Sequence, residues 1–220
     1  MSDSIDLIVK LIPLFPLMAV IVNGLFGHRY SHDLAHRFAW GSVLMSFLCV
    51  LAVFTETLRT GAAREVVAYK WIFGGDLTIN LAYLIDPLTC IMLLVITGVG
   101  FLIHVYSVGY MHGESGFTRF FVYMNLFMVS MLLLVMGNNY VVLFIGWEGV
   151  GLCSYLLIGY YYDKVSAAKA ATKAFVVNRI GDAGFLLAIF LVFVNFRTLD
   201  YTQVMQNAAQ LSPEMATAIA

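Results

Sequence analysis

The chain has 220 residues, of which 61% are hydrophobic and only 11% charged, with a net charge of -1. A soluble domain of this size carries about 25% charged residues; lipid cannot solvate charge, so long stretches here do without it. The balance excludes a basic nucleic-acid surface, and the 15% aromatic content suits two water–lipid interfaces. Cys49, Cys90 and Cys153 lie far apart in apolar runs, and their spacing matches no disulfide, zinc or iron–sulfur framework. No nucleotide-binding glycine loop is present, and Asp3 and Asp6 replace the basic start of a cleavable signal.

A hydrocarbon core needs about 20 apolar residues per helix. Scanning for such runs predicts about six spans, near 5–27, 38–58, 86–107, 119–137, 139–160 and 169–196. The fold class is an all-α polytopic membrane protein with a small extramembrane β-hairpin. Pro13 and Pro16 fall inside the first span, where packed neighbours can tolerate them as kinks. His28, His32 and His36 follow in a polar loop with Arg29, Asp33 and Arg37; their spacing of four is a weak metal signal without a continuous helix. Between the second and third spans, residues 69–83 partly alternate around Gly74-Gly75-Asp76, which predicts the hairpin. Asp86-Pro87 then opens the third span as N-cap and first helical residue. His104, near that span's end, reads as an interfacial polar group or part of a water path. Gly137-Asn138-Asn139 makes a tight uncharged turn between the fourth and fifth spans. The run Tyr160-Tyr161-Tyr162 is an aromatic belt. Residues 197–220 are too polar to span, and Leu199, Val204, Met205 and Leu211 suggest a short amphipathic interfacial helix. The chain divides into a three-helix segment with the hairpin (1–110), spans four to six (111–196) and this tail (197–220).

Loop charge sets the expected orientation. Arg29, Arg37, Arg119, Lys164 and Lys169 share one side, against Arg59, Arg64, Lys70 and Arg197 on the other. The first side is expected to be cytoplasmic, with the N-terminus outside.

Three charges fall where lipid should exclude them. Glu148 stands among Gly146, Trp147, Gly149 and Gly151; Arg179 and Asp182 stand in Asn178-Arg179-Ile180-Gly181-Asp182. At 1.5 Å per residue Glu148 lies about 13 Å below the start of its span, and Asp182 lies similarly deep in the next, antiparallel one. An ionised carboxylate there costs at least ~2.5 kcal/mol, so a partner, water or protonation must offset it. Arg179, three residues before Asp182, shares its helical face, whereas Lys173 points to another side. Glu148 has no cation near it in sequence; its glycines either admit a neighbouring backbone or leave room for water. A carboxyl held between desolvation and a cation can take up and release a proton as its surroundings change. Trp147 reads as packing. The bland alternatives are a protonated structural Glu148 and a structural Arg179–Asp182 pair.

The stretch Gly146-Trp147-Glu148-Gly149-Val150-Gly151, then Ser154 to Gly159, then Lys173-Ala174-Phe175 and Asn178 to Asp182, forms a specific pattern. It resembles the subunit L family of bacterial NADH–quinone oxidoreductase, respiratory complex I. The large subunit of multi-subunit Na⁺/H⁺ antiporters shares it. The hairpin and Asp86-Pro87-Leu88 fit as well. The resemblance implies the N-terminal part of a larger antiporter-like fold with inverted repeats, in which a fifth-helix glutamate is coupled to a lysine of a broken seventh helix. Glu148 matches that glutamate, and Arg179 and Asp182 match charged positions of the sixth helix; Lys173 is a further relay candidate. Family members are longer, so this chain is expected to be a fragment without the lysine partner. It would be a non-redox, proton-translocating subunit of the bacterial inner membrane. FMN, iron–sulfur clusters and quinone would reside in partner subunits, and its partners would be other membrane subunits, lipids and protons.

Overall fold

The computed structural model describes residues 2–27, 29, 32–74 and 77–210. Among the described residues, six helices are long and apolar enough to cross a membrane: α1 (Ser2–Phe26), α2 (His32–Thr60), α3 (Pro87–Tyr110), α4 (Phe117–Met136), α5 (Tyr140–Ile158) and α6 (Val165–Phe196). A short α7 (Tyr201–Ala209) follows, and the strands β1 (Arg64–Gly74) and β2 (Leu77–Ile85) pair between α2 and α3.

Helices α1 to α4 form a bundle, α5 packs on α4, and α6 packs on α5 and α7. α1 remains continuous through Pro13 and Pro16. Pro16 has no N–H to offer the carbonyl of Ile12, and the Ser46 hydroxyl of α2 donates to that carbonyl instead, at 2.7 Å. The Asn23 amide donates to Ala35 O at 3.0 Å, and the Ser42 hydroxyl to Asn125 Oδ1 at 3.0 Å. Lipid gives packed helices no hydrophobic drive to associate, so such bonds help select neighbours. α3 starts as its sequence predicts, with Asp86 Oδ1 accepting from the Thr89 amide at 2.7 Å and Pro87 at the first turn.

The hairpin is longer than residues 69–83 suggest. Antiparallel pairing runs from Arg64–Ile85 to Gly74–Leu77, with irregularities between Val67 and Tyr69 and between Lys70 and Ile72. These shifts break the alternation on which the sequence signal depends. Val66, Tyr83 and Ile85 are buried with Val9, Ile12, Leu132 and Met136, which seats the hairpin on one end of the bundle.

The first turns of α2 correct the expected polar loop. His32 to Arg37 are helical, because Ala35 and Ala39 are fully buried and His36 lies edge-on to Phe117 at 6.0 Å. His28 and the His32 side chain lie outside the described residues, so the histidine stripe is not seen as a whole. Among its described residues the tail forms a helix over Tyr201–Ala209, with Asp200 capping the Thr202 and Gln203 amides. Leu199 and Val204 are buried, whereas Met205 is exposed; Leu211 lies outside the described residues.

Candidate functional site

Glu148 is the ninth of 19 residues in α5, and Asp182 the eighteenth of 32 in α6, so both lie mid-helix. The α5–α6 packing brings them together through Arg179. The Arg179 guanidinium makes a close ion pair with Glu148 through Nη1 and lies 3.6 Å from Asp182 Oδ2. One cation thus bridges two carboxylates on neighbouring helices. The sequence pairs Arg179 with Asp182 alone; the structure gives the shorter contact to Glu148 across the helix interface. Glu148, which has no cation nearby in sequence, gains one only when the helices dock.

Each charge has further support. Asp182 is buried, and its Oδ1 accepts from the Trp147 indole N–H at 2.8 Å. The Phe175 ring lies 4.8 Å from the Arg179 guanidinium carbon and 5.4 Å from the Tyr155 ring, a cation–π arrangement one turn away from the ion pair. Trp147 also meets Phe185 edge-on at 5.7 Å. Packing alone therefore does not describe Trp147: it is a donor to the site. Its signal was an indole N–H beside Glu148 in an apolar helix, a group that seeks an acceptor.

The glycines around Glu148 divide their work. A Cβ on Gly146 would stand 2.5 Å from Leu134 N, so this glycine lets α5 approach the α4 backbone. A Cβ on Gly149 would stand 2.5 Å from Ser130 Oγ, whereas Gly151 faces open space. A cavity of about 280 Å³ lies on that open side, lined by Trp147, Gly151, Ser154, Asn178 and Asp182. Met131, Leu134 and Val150 make the rest of its lining mostly apolar, and the carboxylate on its wall is that of Asp182, not Glu148. The close approach expected of the glycine pattern is met at Gly146, whereas the open space lies beside Asp182 and not beside Glu148.

Lys173 is not brought into this group. It is exposed on α6 and makes no ion pair with the described residues. His104 is fully buried within α3 rather than interfacial, with Nδ1 2.7 Å from Gly100 O and its ring 6.2 Å from that of Phe121. Because a carbonyl only accepts, Nδ1 carries the proton, which leaves Nε2 without a partner among the described residues. Cys49, Cys90 and Cys153 are free thiols.

Two family models match the chain. "NADH-Ubiquinone oxidoreductase (complex I), chain 5 N-terminus" covers residues 71–121, and "NADH:quinone oxidoreductase/Mrp antiporter, TM" covers residues 137–220. NADH-quinone oxidoreductase subunit L of Pseudomonas aeruginosa is 43% identical over 204 residues, which is 91% of this chain and 33% of that protein. The Mycobacterium tuberculosis subunit L is 46% identical over 198 residues, 89% of this chain and 31% of that protein. NADH-ubiquinone oxidoreductase chain 5 of Metridium senile is 39% identical, over 93% of this chain and 34% of that protein. The chain thus spans about a third of the length of these relatives. Among solved structures, an archaeal membrane-bound sulfane sulfur reductase superposes with TM-score 0.81 at 20% identity, over 96% of this chain and 41% of that one. The Mrp complex of Dietzia sp. superposes with TM-score 0.75 at 23% identity, over 96% of this chain and 22% of that one. With family models over residues 71–121 and 137–220, and relatives of that identity along nearly its whole length, the chain belongs to the antiporter-like membrane-subunit family of NADH–quinone oxidoreductase subunit L.

Proposed function

We propose that this chain moves protons as part of a respiratory NADH–quinone oxidoreductase in the bacterial inner membrane. One observation carries the reading: Arg179 bridges Glu148 and Asp182 midway along two membrane-spanning helices. Buried charge is costly in lipid and marks ion pathways. Glu148 would be the exchangeable site. When its side chain leaves Arg179, the lost attraction favours protonation; when it returns, the proton is released. Asp182 competes for the same guanidinium and, held by Trp147, gives Arg179 a second resting place. Lys173 would act at longer range, adding positive potential about 9 Å along α6 from Arg179. The redox chemistry, with FMN, iron–sulfur clusters and quinone, would belong to partner subunits.

The test is NADH-driven proton uptake by inverted membrane vesicles carrying Glu148→Gln in the assembled complex. NADH oxidation by an artificial acceptor checks assembly. Uptake should fall by about tenfold or more, the scale of losing a positioned proton-transfer group. Unchanged uptake in an assembled complex would overturn the role of Glu148. A second reading, a subunit of a Na⁺/H⁺ antiporter without electron transfer, draws on the family description that names both complexes. Co-purification with NADH-oxidising subunits separates the two.

A further inference from the structure

α1 and α2 are antiparallel neighbours, tied by two hydrogen bonds on their buried faces. The Ser46 hydroxyl donates to Ile12 O at 2.7 Å, and the Asn23 amide to Ala35 O at 3.0 Å. These contacts set the register: Val22 stands level with the first turns of α2, and Phe15 about two turns further in. On their exposed faces the two helices do not close. A cavity of about 500 Å³ runs between Phe15, Met18 and Val22 of α1 and Phe38, Gly41 and Met45 of α2.

Gly41 keeps this groove open. A Cβ there would meet nothing within 4 Å, so a side chain at this position would fill the groove without pressing on the bundle. Met18, Phe38 and Met45 are about half exposed along it. The Ser42 hydroxyl on its wall is already engaged, 2.7 Å from Ala39 O and 3.0 Å from Asn125 Oδ1. The groove therefore offers hydrocarbon contact over about 12 Å, the rise from Arg37 to Met45.

Arg37 lines the end of the groove nearest the start of α2. It is exposed, and no carboxylate among the described residues pairs with it. α2 has 29 residues. That is about 43 Å of helix against a hydrocarbon core of about 30 Å, so its first turns reach the headgroup layer. Arg29, Arg119, Lys164 and Lys169 belong to the same end of the spans, against Asp33, Glu114 and Asp163, which leaves that end positive. An apolar slot in the exposed faces of two membrane spans thus ends at a cation in the headgroup layer.

A helix with its side chains is about 10 Å across and would ride on the rims of the groove rather than enter it. A hydrocarbon chain is slim enough to lie inside, and a phosphate answers the guanidinium. We propose that this groove holds one acyl chain of an anionic phospholipid whose phosphate sits on Arg37. Bulk lipid tails are as apolar as the groove, so preference for the site comes from packing along the slot and from the charge at its end. The lipid would brace α1 against α2 on their exposed faces, apart from the Glu148 site.

The test is native mass spectrometry of the 220-residue chain in detergent, titrated with phosphatidylglycerol or with glycerol 3-phosphate, and a lipid-free thermal melt of each variant. Wild type should bind one phosphatidylglycerol, and glycerol 3-phosphate far more weakly. Arg37→Gln should weaken lipid binding about tenfold, the scale of a lost charge-assisted contact. Gly41→Leu, which fills the slot, should weaken it at least as much, yet melt no lower than wild type, because leucine favours a helix over glycine. Gly41→Ala, with one methyl in the same slot, should lie between. Lipid binding unchanged in Gly41→Leu would overturn the groove as the site, and binding unchanged in Arg37→Gln would overturn the headgroup assignment. Equal binding of glycerol 3-phosphate and phosphatidylglycerol would overturn the acyl chain. A lipid-free melt lowered by Gly41→Leu would show a packed position and overturn the open groove. A wild-type dimer that Gly41→Leu abolishes would give the groove to a second copy of the chain and overturn the lipid. None of these readouts measures transport, so their failure leaves the reading of Glu148 intact.

Discussion

Arg179 is shared, and that makes its two carboxylates unequal. Glu148 depends on it directly, whereas Asp182 is buried and has the Trp147 indole as an independent donor. A hydrogen bond to a charged group contributes about 1.5–3 kcal/mol, and the cost of its loss rises when the acceptor stays buried. Trp147→Phe keeps a ring against Phe185 but deletes the donor. It should lower stability by about 1–3 kcal/mol, read as a lower thermal melting temperature in detergent. The loss should shrink in an Asp182→Asn background, where no charge awaits the indole; equal losses in both backgrounds would show that Trp147 acts by packing alone. The sequence displayed these residues unevenly. Arg179 and Asp182 stand three apart on one helix, so their proximity follows from helical pitch. The Glu148–Arg179 contact depends on how α5 and α6 rotate about their own axes, which two separate apolar runs do not encode.

At the scale of elements, helix contacts are set by where side chains are missing. α5 reaches α4 through Gly146, whose missing Cβ makes way for the Leu134 backbone, while Gly151 opens on nothing. Backbone cannot swing aside as a long side chain can, so overpacking there costs about 1–3 kcal/mol. Gly146→Ala should lower the melting temperature, whereas Gly151→Ala should stay within about 0.5 kcal/mol of wild type. Reversed effects would mean that α5 docks with another face. α7 supplies a pH-dependent contact. Tyr201 meets the Tyr140 ring edge-on at 4.8 Å, and burial pushes its phenol above the ordinary range. A raised folded value means that the unfolded chain loses its proton first. Stability is therefore fully present below about pH 10 and declines as pH rises through the folded value. Melting curves should be flat up to that point and fall above it, with a shallower fall in Tyr201→Phe. The six spans were legible because length and apolarity suffice to define them. The hairpin was legible only at its centre, because its bulges hid the outer pairs, and the first turns of α2 were missed because their stability comes from packing on α4 rather than from local pattern.

Across the whole molecule, one side is tied down and another is open. Asn138, in the α4–α5 turn, donates to Glu65 of β1 at 2.6 Å and to Asp200 before α7 at 2.9 Å, and its amide donates to Ala82 O at 3.1 Å. Hairpin, turn and tail helix thus share one polar junction. α6 is different: it packs on α5 and α7 but leaves Ile180, Leu187 and Leu191 exposed, with the Arg179 side chain 45% exposed beside Glu148. Facing lipid, a mid-membrane arginine costs about 2.5–3.5 kcal/mol. An ion pair reduces that cost, and covering protein or local water reduces it further. A spin label at Ile180→Cys, with Cys49, Cys90 and Cys153 replaced, measures the difference by its collision rate with oxygen, which dissolves in lipid. The label should collide freely in the isolated chain in nanodiscs and several times less often in the assembled complex. Equal rates in both would mean that α6 faces lipid in the working protein, and that the Glu148–Arg179–Asp182 group alone must bear the cost of its charge.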